Sequence, residues 1–105
     1  MTSDSEAFEA PLSAQYSITL RINYPRAPGR IAKIAATIGE QGGVIGAIDL
    51  VQVQGVRSVR DYTVECFSRV YVQRVIDTIR SLEDLILESV SDDIFCMHLG
   101  GKLEV

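Results

Sequence analysis

Residues 16–43 read YSITLRINYPRAPGRIAKIAATIGEQGG, and this stretch decides the fold. From Tyr16 to Tyr24 apolar and polar side chains alternate without a break, which is the pattern of a strand with one buried face. Pro25 and Pro28 end that strand because proline has no backbone N–H to donate, and Pro28 suits the first position of a helix. The region is therefore a half-buried strand that leads directly into a helix.

Residues 29–41 have the spacing of an amphipathic helix. Apolar side chains recur at intervals of three and four residues, and polar side chains such as Lys33 and Glu40 fall on the other faces. The pair Gly42-Gly43 supplies the left-handed conformation that commonly ends a helix. The apolar set is Ile31, Ile34, Ala35 and Ile38.

The rest of the chain adds two strands, a second helix and a fourth strand. Residues 44–54 are rich in Val, Ile and Leu on both alternating faces, so that both faces are covered or an edge is shared. Gly55 marks a tight turn to the next strand, which makes the two strands a hairpin. Ser68 suits the N-cap of the second helix. The predicted later elements are a strand at 56–67, a helix at 68–82 and a strand at 85–91.

This order of elements predicts an α+β fold, the ferredoxin-like βαββαβ sandwich, in which two helices cover one face of an antiparallel sheet. The other face is then open to solvent or to a partner subunit. Because so small a domain buries little more than about 60% of the surface of its unfolded chain, we expect a homodimer or a higher homo-oligomer. The predicted polar face carries Ser17, Thr19, Arg21, Asn23, Asp61, Thr63 and Glu65.

Composition excludes several classes of protein. The 105 residues include 10 Lys and Arg against 14 Asp and Glu, a net charge of −4, which argues against a nucleic-acid partner. No stretch approaches the roughly 20 apolar residues of a membrane-spanning helix, and the acidic start is unlike a signal peptide. We expect a soluble cytoplasmic protein with a mobile leader at residues 1–14 and one domain at residues 15–99.

Reactive side chains are scarce. Cys66 and Cys96 are too few and too far apart for a disulfide framework or a zinc site, and each is expected to pack as a small hydrophobic residue. His98 is the only histidine, and no nucleophile motif surrounds it. We therefore predict no catalytic residue, no metal and no cofactor. A small hydrolase that uses His98 is a third hypothesis, after the two given below.

The junction at residues 23–30 holds the strongest candidate site. A helix N-terminus offers unpaired N–H groups and a partial positive charge, and Gly29 allows a ligand to approach the backbone. Arg26 and Arg30 add guanidinium groups that suit a carboxylate or a phosphate. These features describe an anion pocket. The alternative is that Pro28 and Gly29 only begin the helix and that the arginines only solubilise the surface.

Parts of the sequence resemble the ACT domain family of small regulatory modules. The resemblance rests on residues 26–34 (RAPGRIAKI), on residues 42–45 (GGVI) and on the βαββαβ order. More narrowly, the segments GAIDLV, VRDYTV and HLGGKLEV, which begin at Gly46, Val59 and His98, resemble the ACT domain at the N-terminus of bacterial NAD-dependent malic enzymes. In those proteins a similar closing segment leads into the catalytic domain. Residues 100–105 are therefore expected to begin a linker, and the chain to be an excised or a stand-alone regulatory domain.

The resemblance implies effector sensing. ACT domains typically bind amino acids or other small metabolites between paired subunits, near the first strand-to-helix loop and the start of the second strand, and they pass the signal to an attached enzyme. The positions implied here as effector-binding are Arg26, Ala27, Pro28, Gly29, Arg30, Val44, Ile45 and Asp49.

Two of these positions depart from the pattern of the amino-acid-binding members. Those members usually carry Asn or Asp where this chain has Arg26, and often a polar residue where it has Ile45. An arginine at that position favours an anionic ligand, so that a small carboxylate or phosphorylated metabolite competes with an amino acid as the expected effector. Asp49 either holds an ammonium group or pairs on the outer face of its strand with an arginine such as Arg57 or Arg60.

We therefore predict a non-catalytic regulatory domain that binds a small effector and controls an attached metabolic enzyme, which the resemblance implies is a malic enzyme acting on malate. The alternative is a purely structural dimerisation or assembly module without a ligand. The expected partners are the effector, further copies of the chain and a covalently attached catalytic domain. Neither nucleic acid nor a membrane is expected to bind.

Overall fold

A computed structural model describes residues 16–92 of the chain. The elements are β1 (Tyr16–Pro25), α1 (Arg30–Glu40), β2 (Val44–Gln54), β3 (Arg57–Cys66), α2 (Arg69–Ser81) and β4 (Ile86–Asp92). The predictions for residues 1–14 and 100–105, and those for Cys96 and His98, lie outside the described residues. Between residues 16 and 92 no helix combines the length and the apolar character needed to cross a membrane.

The four strands form one antiparallel sheet in the order β2-β3-β1-β4. β1 lies in the middle of the sheet and pairs with β3 along its whole length, from Tyr16 opposite Cys66 to Pro25 opposite Arg57. With two helices packed on this sheet, the structure confirms the predicted ferredoxin-like βαββαβ fold.

Both helices pack on the same face of the sheet. Every second residue of β1 and β3 points to this face, and most of these residues are almost completely buried, as the alternation predicts. α1 contributes Ile34 and Ile38 to the same core, and α2 contributes Val75 and Ile79. Full burial of an apolar side chain of this size contributes about 1.5–3 kcal/mol. The buried strand residues are Ile18, Leu20, Ile22, Tyr24, Tyr62, Val64 and Cys66.

The opposite face carries the polar side chains that the sequence predicts. At its centre the Nε and Nη2 atoms of Arg21 donate hydrogen bonds of 2.8 and 2.9 Å to the carboxylate of Asp61 on the neighbouring strand. This guanidinium lowers the pKa of Asp61. The flanking cross-strand pairs are Ser17 opposite Glu65 and Thr19 opposite Thr63.

The starts of the two helices differ from the prediction in detail. α1 begins at Arg30, after Gly29 in the left-handed conformation with φ +80°, so that Pro28 lies two residues before the helix rather than at its first position. Glycine suits Gly29 because it adopts positive φ without strain. Ser68 occupies the N-cap of α2 as predicted, but its side chain makes no capping hydrogen bond.

β2 is an edge strand with both faces exposed. It pairs only with β3 among the described strands, and its large apolar side chains, apart from Ile45, are 36–53% exposed. Of the two interpretations that the sequence leaves open for residues 44–54, the structure rules out coverage of both faces by the described part of the chain. The exposed residues are Val44, Ile48, Leu50, Val51 and Val53.

Candidate effector-binding site

A cavity of about 570 Å³ lies where the β1–α1 loop meets the β2–β3 turn, and we call it the basic pocket. The two segments are tied together by a hydrogen bond of 2.8 Å from the backbone N–H of Arg26 to the carbonyl oxygen of Val56. The pocket therefore contains the loop that the sequence singles out as the candidate site. Its lining residues are Tyr24, Arg26, Ala27, Pro28, Ile31, Gly55, Val56, Ser58 and Arg60.

Arg60 enters the pocket from β3. Its Nε donates a hydrogen bond of 2.7 Å to the hydroxyl oxygen of Tyr24, which is itself almost completely buried. Sequence analysis missed Arg60 as a site residue and treated it only as a partner for Asp49. The signal was present, because Arg60 has the same parity as Tyr62 and must face the helices with it.

Arg26 lies at the mouth of the basic pocket and is exposed. The lining holds two guanidinium groups and, within the described chain, no carboxylate. Two arginines without a nearby acid create a positive potential in a recess, which attracts small anions.

Arg30 does not reach the basic pocket. It lies in a second cavity of about 320 Å³ between α1 and the α2–β4 loop, where Nη1 is 3.5 Å from the carboxylate of Asp84. Arg26 and Arg30, which the sequence analysis placed in one anion pocket, therefore line separate cavities of a single chain. Lys33 and Glu83 line the same second cavity.

Val44 and Ile45 lie at the far end of the sheet within one chain. Their partners across β3 are Glu65 and Val64, whereas the end of β1 next to the basic pocket lies opposite Arg57. A single chain therefore does not bring the start of β2 to the pocket.

Asp49 lies on the polar face, directly opposite Asp61, and is exposed. The two arginines proposed as its partners bond elsewhere. Arg57 donates to the side chain of Asn23 and to the backbone oxygen of Asp84, and Arg60 donates to Tyr24. Asp49 is therefore not a lining residue of the basic pocket in one chain, and the structure does not contain the alternative pairing with Arg57 or Arg60.

Tyr62 places a hydroxyl without a hydrogen-bond partner in the described part of the core. The side chain is fully buried, and its hydroxyl has no hydrogen-bond partner within the described structure. The pKa of Tyr62 is raised to about 12, chiefly by burial and less by the neighbouring Tyr24, while Arg60 acts in the opposite direction. Tyr24 and Arg60, both lining residues of the pocket, are thus within electrostatic reach of this hydroxyl.

Cys66 packs in the core as the sequence predicts. It is a free thiol, 1% exposed, and burial raises its pKa, which keeps it protonated and unreactive at neutral pH. Within residues 16–92 no three His, Cys, Asp or Glu side chains are grouped as a metal site would require.

Two curated proteins that are similar to this chain in sequence are both NAD-dependent malic enzymes. The chain is 34% identical over 94 residues to the NAD-dependent malic enzyme of Geobacillus stearothermophilus, a match that covers 90% of this chain. It is 35% identical over 88 residues to NAD-dependent malic enzyme 1 of Bacillus subtilis, covering 83% of this chain. The chain spans about a fifth of the length of these curated relatives. No protein-family model matches the chain.

Among solved structures the fold is similar to that of the ligand-free regulatory subunit of aspartate kinase from Thermus thermophilus. The TM-score is 0.51 at 21% sequence identity, and the match covers 77% of this chain and 58% of that one. At this identity the likeness concerns the fold. The chain thus has an ACT-type fold and is homologous, over about nine-tenths of its length, to one part of the NAD-dependent malic enzymes.

Proposed function

We propose that this chain is a cytoplasmic regulatory domain that binds a small effector in the basic pocket and controls an attached catalytic domain that oxidatively decarboxylates malate. Homology to a fifth of the length of two malic enzymes supports the attachment, and the likeness to a regulatory subunit supports the role. The fold itself hosts unrelated functions, so the site must carry the argument.

The observation that carries the proposal is the basic pocket. It is a recess formed by two loops, with Arg26 and Arg60 in its lining and no carboxylate of the described chain to neutralise them. Structural arginines are normally paired, as Arg21 is with Asp61 and Arg30 with Asp84. Two guanidinium groups that line a recess without a carboxylate of the described chain favour an anionic ligand.

The exposed edge of β2 supports a paired subunit. An edge strand of 11 residues with large apolar side chains on both faces invites pairing with another strand. Antiparallel pairing of two β2 strands about a twofold axis places the start of one beside the end of the other. In such a dimer Val44 and Ile45 of the second copy lie near the β2–β3 turn that lines the basic pocket. Most of the predicted site residues then lie close together.

Calorimetric titration of the chain with amino acids, dicarboxylates and inorganic phosphate tests the effector proposal. We expect heat of binding from at least one of these ligands, with binding weakened in Arg26→Ala. Arg26 is exposed and has no side-chain hydrogen bond in the described structure, so this substitution leaves the fold intact. Absence of heat at millimolar ligand, with Arg26→Ala indistinguishable from the unchanged chain, contradicts the proposal.

A second candidate function is a purely structural assembly module, which the exposed edge of β2 favours. The two functions differ in an enzyme that carries this domain. Deletion of a structural module lowers the oligomeric state and leaves any effector response of malate oxidation unchanged. Deletion of a regulatory module abolishes the response.

A further inference from the structure

The polar groups of the basic pocket select one sign of charge. Its lining offers the guanidinium groups of Arg26 and Arg60 and the hydroxyl groups of Tyr24 and Ser58. We propose that the pocket binds a small oxyanion, a carboxylate or a phosphate, that carries no ammonium group, with Arg60 as its anchor and Arg26 at its mouth. This inference rests on the proposed function and names the chemical class of its effector.

Arg60 is the anchor because its orientation is already fixed. The hydrogen bond of 2.7 Å from Nε to the hydroxyl oxygen of Tyr24 uses one edge of the guanidinium. The two terminal nitrogens have no hydrogen bond to the described residues. A planar guanidinium with both terminal nitrogens available forms paired, charge-assisted hydrogen bonds to a carboxylate or a phosphate. Because the side chain is held before the ligand arrives, little rotamer freedom is lost on binding.

Among the described residues of one chain, the lining of the pocket offers no carboxylate to an ammonium group. Asp49, the carboxylate that could have held one, lies on the polar face of the sheet opposite Asp61. The backbone oxygen of Val56 already accepts from the N–H of Arg26. An ammonium between two guanidinium groups is repelled by both, and removing it from water without an ion-pair partner is costly. The pocket therefore discriminates against zwitterionic amino acids.

Three matched probes test the ligand class by calorimetry on the 105-residue chain. Succinate and aspartate differ only in the ammonium group, and inorganic phosphate separates a phosphate site from a carboxylate site. We expect succinate or phosphate to bind at least about tenfold more tightly than aspartate, since one unfavourable charge contact is worth that factor or more.

Two variants locate the binding. We expect Arg60→Gln to weaken the binding of whichever probe binds more tightly by at least about tenfold. Arg30→Gln removes the same charge from the second cavity and is therefore the electrostatic control. Because salt screens a charge that does not contact the ligand, we expect this variant to change the affinity less than twofold. If Arg60→Gln lowers the melting temperature, Arg26→Gln at the exposed mouth gives the same test without a risk to the fold.

The outcomes separate the two proposals. Aspartate binding as tightly as succinate, with both weakened by Arg60→Gln, overturns the ligand class and leaves the effector function standing. Equal losses in Arg60→Gln and Arg30→Gln overturn the assignment of the site. If no amino acid, dicarboxylate or phosphate binds at all, the proposed effector function fails together with the inference.

Discussion

β1 and β2 both carry large apolar side chains, and these lie in opposite environments. The apolar side chains of β1 from Ile18 to Tyr24 are at most 3% exposed, whereas those of β2, apart from Ile45, are 36–53% exposed. β1 lies between two strands and shares one buried core with both helices, while β2 pairs with β3 alone among the described strands. The same kind of residue therefore stabilises the fold in one strand and forms a surface in the other.

The difference follows from where each strand contacts the helices. The buried helix residues, such as Ile38 and Val75, converge on the centre of the sheet, so that only the first residues of β2 touch the core. Ile45 packs against the core cluster, and the rest of β2 extends past it. Apolar area left on an edge strand makes it available for association with another chain.

The largest effect that we expect separates Leu20 in β1 from Leu50 in β2. Leu20→Ala removes a fully buried side chain and leaves a cavity, which should lower the free energy of unfolding by about 2–5 kcal/mol. Leu50→Ala should change it by less than about 1 kcal/mol in dilute solution, because this side chain is 53% exposed. Urea denaturation of the two variants measures both values. Equal losses in the two variants would mean that β2 is part of the core.

We expect a smaller loss of stability for a substitution at Gly43, directly before β2 begins. A Cβ atom on Gly43 would lie 2.7 Å from Val64 Cγ1 and 2.8 Å from Ile38 Cγ2, so Gly43→Ala should destabilise the fold by about 1–3 kcal/mol through overpacking. Gly46 is the matched control, because a Cβ atom there has no neighbour closer than 3.7 Å. Gly46→Ala should stay within about 0.5 kcal/mol by the same urea measurement. A Gly43→Ala variant as stable as Gly46→Ala would contradict the packing described at this position.

The smallest change in stability that we expect comes from charged residues that face Asp61 on the two neighbouring strands. Asp61 faces Arg21 across β1–β3 and Asp49 across β2–β3. Because Arg21 lowers the pKa of Asp61 below its ordinary value of 3.8, the pair stabilises the fold above that pH, and the gain is lost as the pH falls through the folded pKa.

Asp61→Asn should therefore lower the urea midpoint slightly at neutral pH and hardly at all in acid. Asp49→Asn removes a like charge directly opposite Asp61 and should leave the midpoint unchanged or raise it. A loss for Asp61→Asn that is the same in acid and at neutral pH would show that the ion pair is not its cause.

Local patterns predicted the fold because they agree with the tertiary structure. The alternation in β1 and the helical spacing of Ile34 and Ile38 both report burial on a single face, and both are confirmed. β2 has apolar residues on both faces, and its place at the edge is set by pairing with distant residues, which no local pattern contains.

The candidate site was predicted only in part for the same reason. The β1–α1 loop with Arg26 does line a pocket, because a proline and glycine junction has local causes. The partner of Arg30 is Asp84, which is 54 residues away and could not be read from the neighbourhood of the helix start. Arg60 could have been found from strand parity, since it alternates in step with the buried Tyr62.

Hydrogen–deuterium exchange of the chain at low and high protein concentration tests the central contrast most directly. Amides of β1 (Tyr16–Pro25) bond to strands on both sides and should be protected at every concentration. Amides of β2 (Val44–Gln54) that point away from β3 should exchange rapidly in dilute solution and become protected as the concentration rises and a second copy pairs with this edge. Fast exchange of these β2 amides at all concentrations, with β1 unchanged, would contradict the account that β2 is a surface for association.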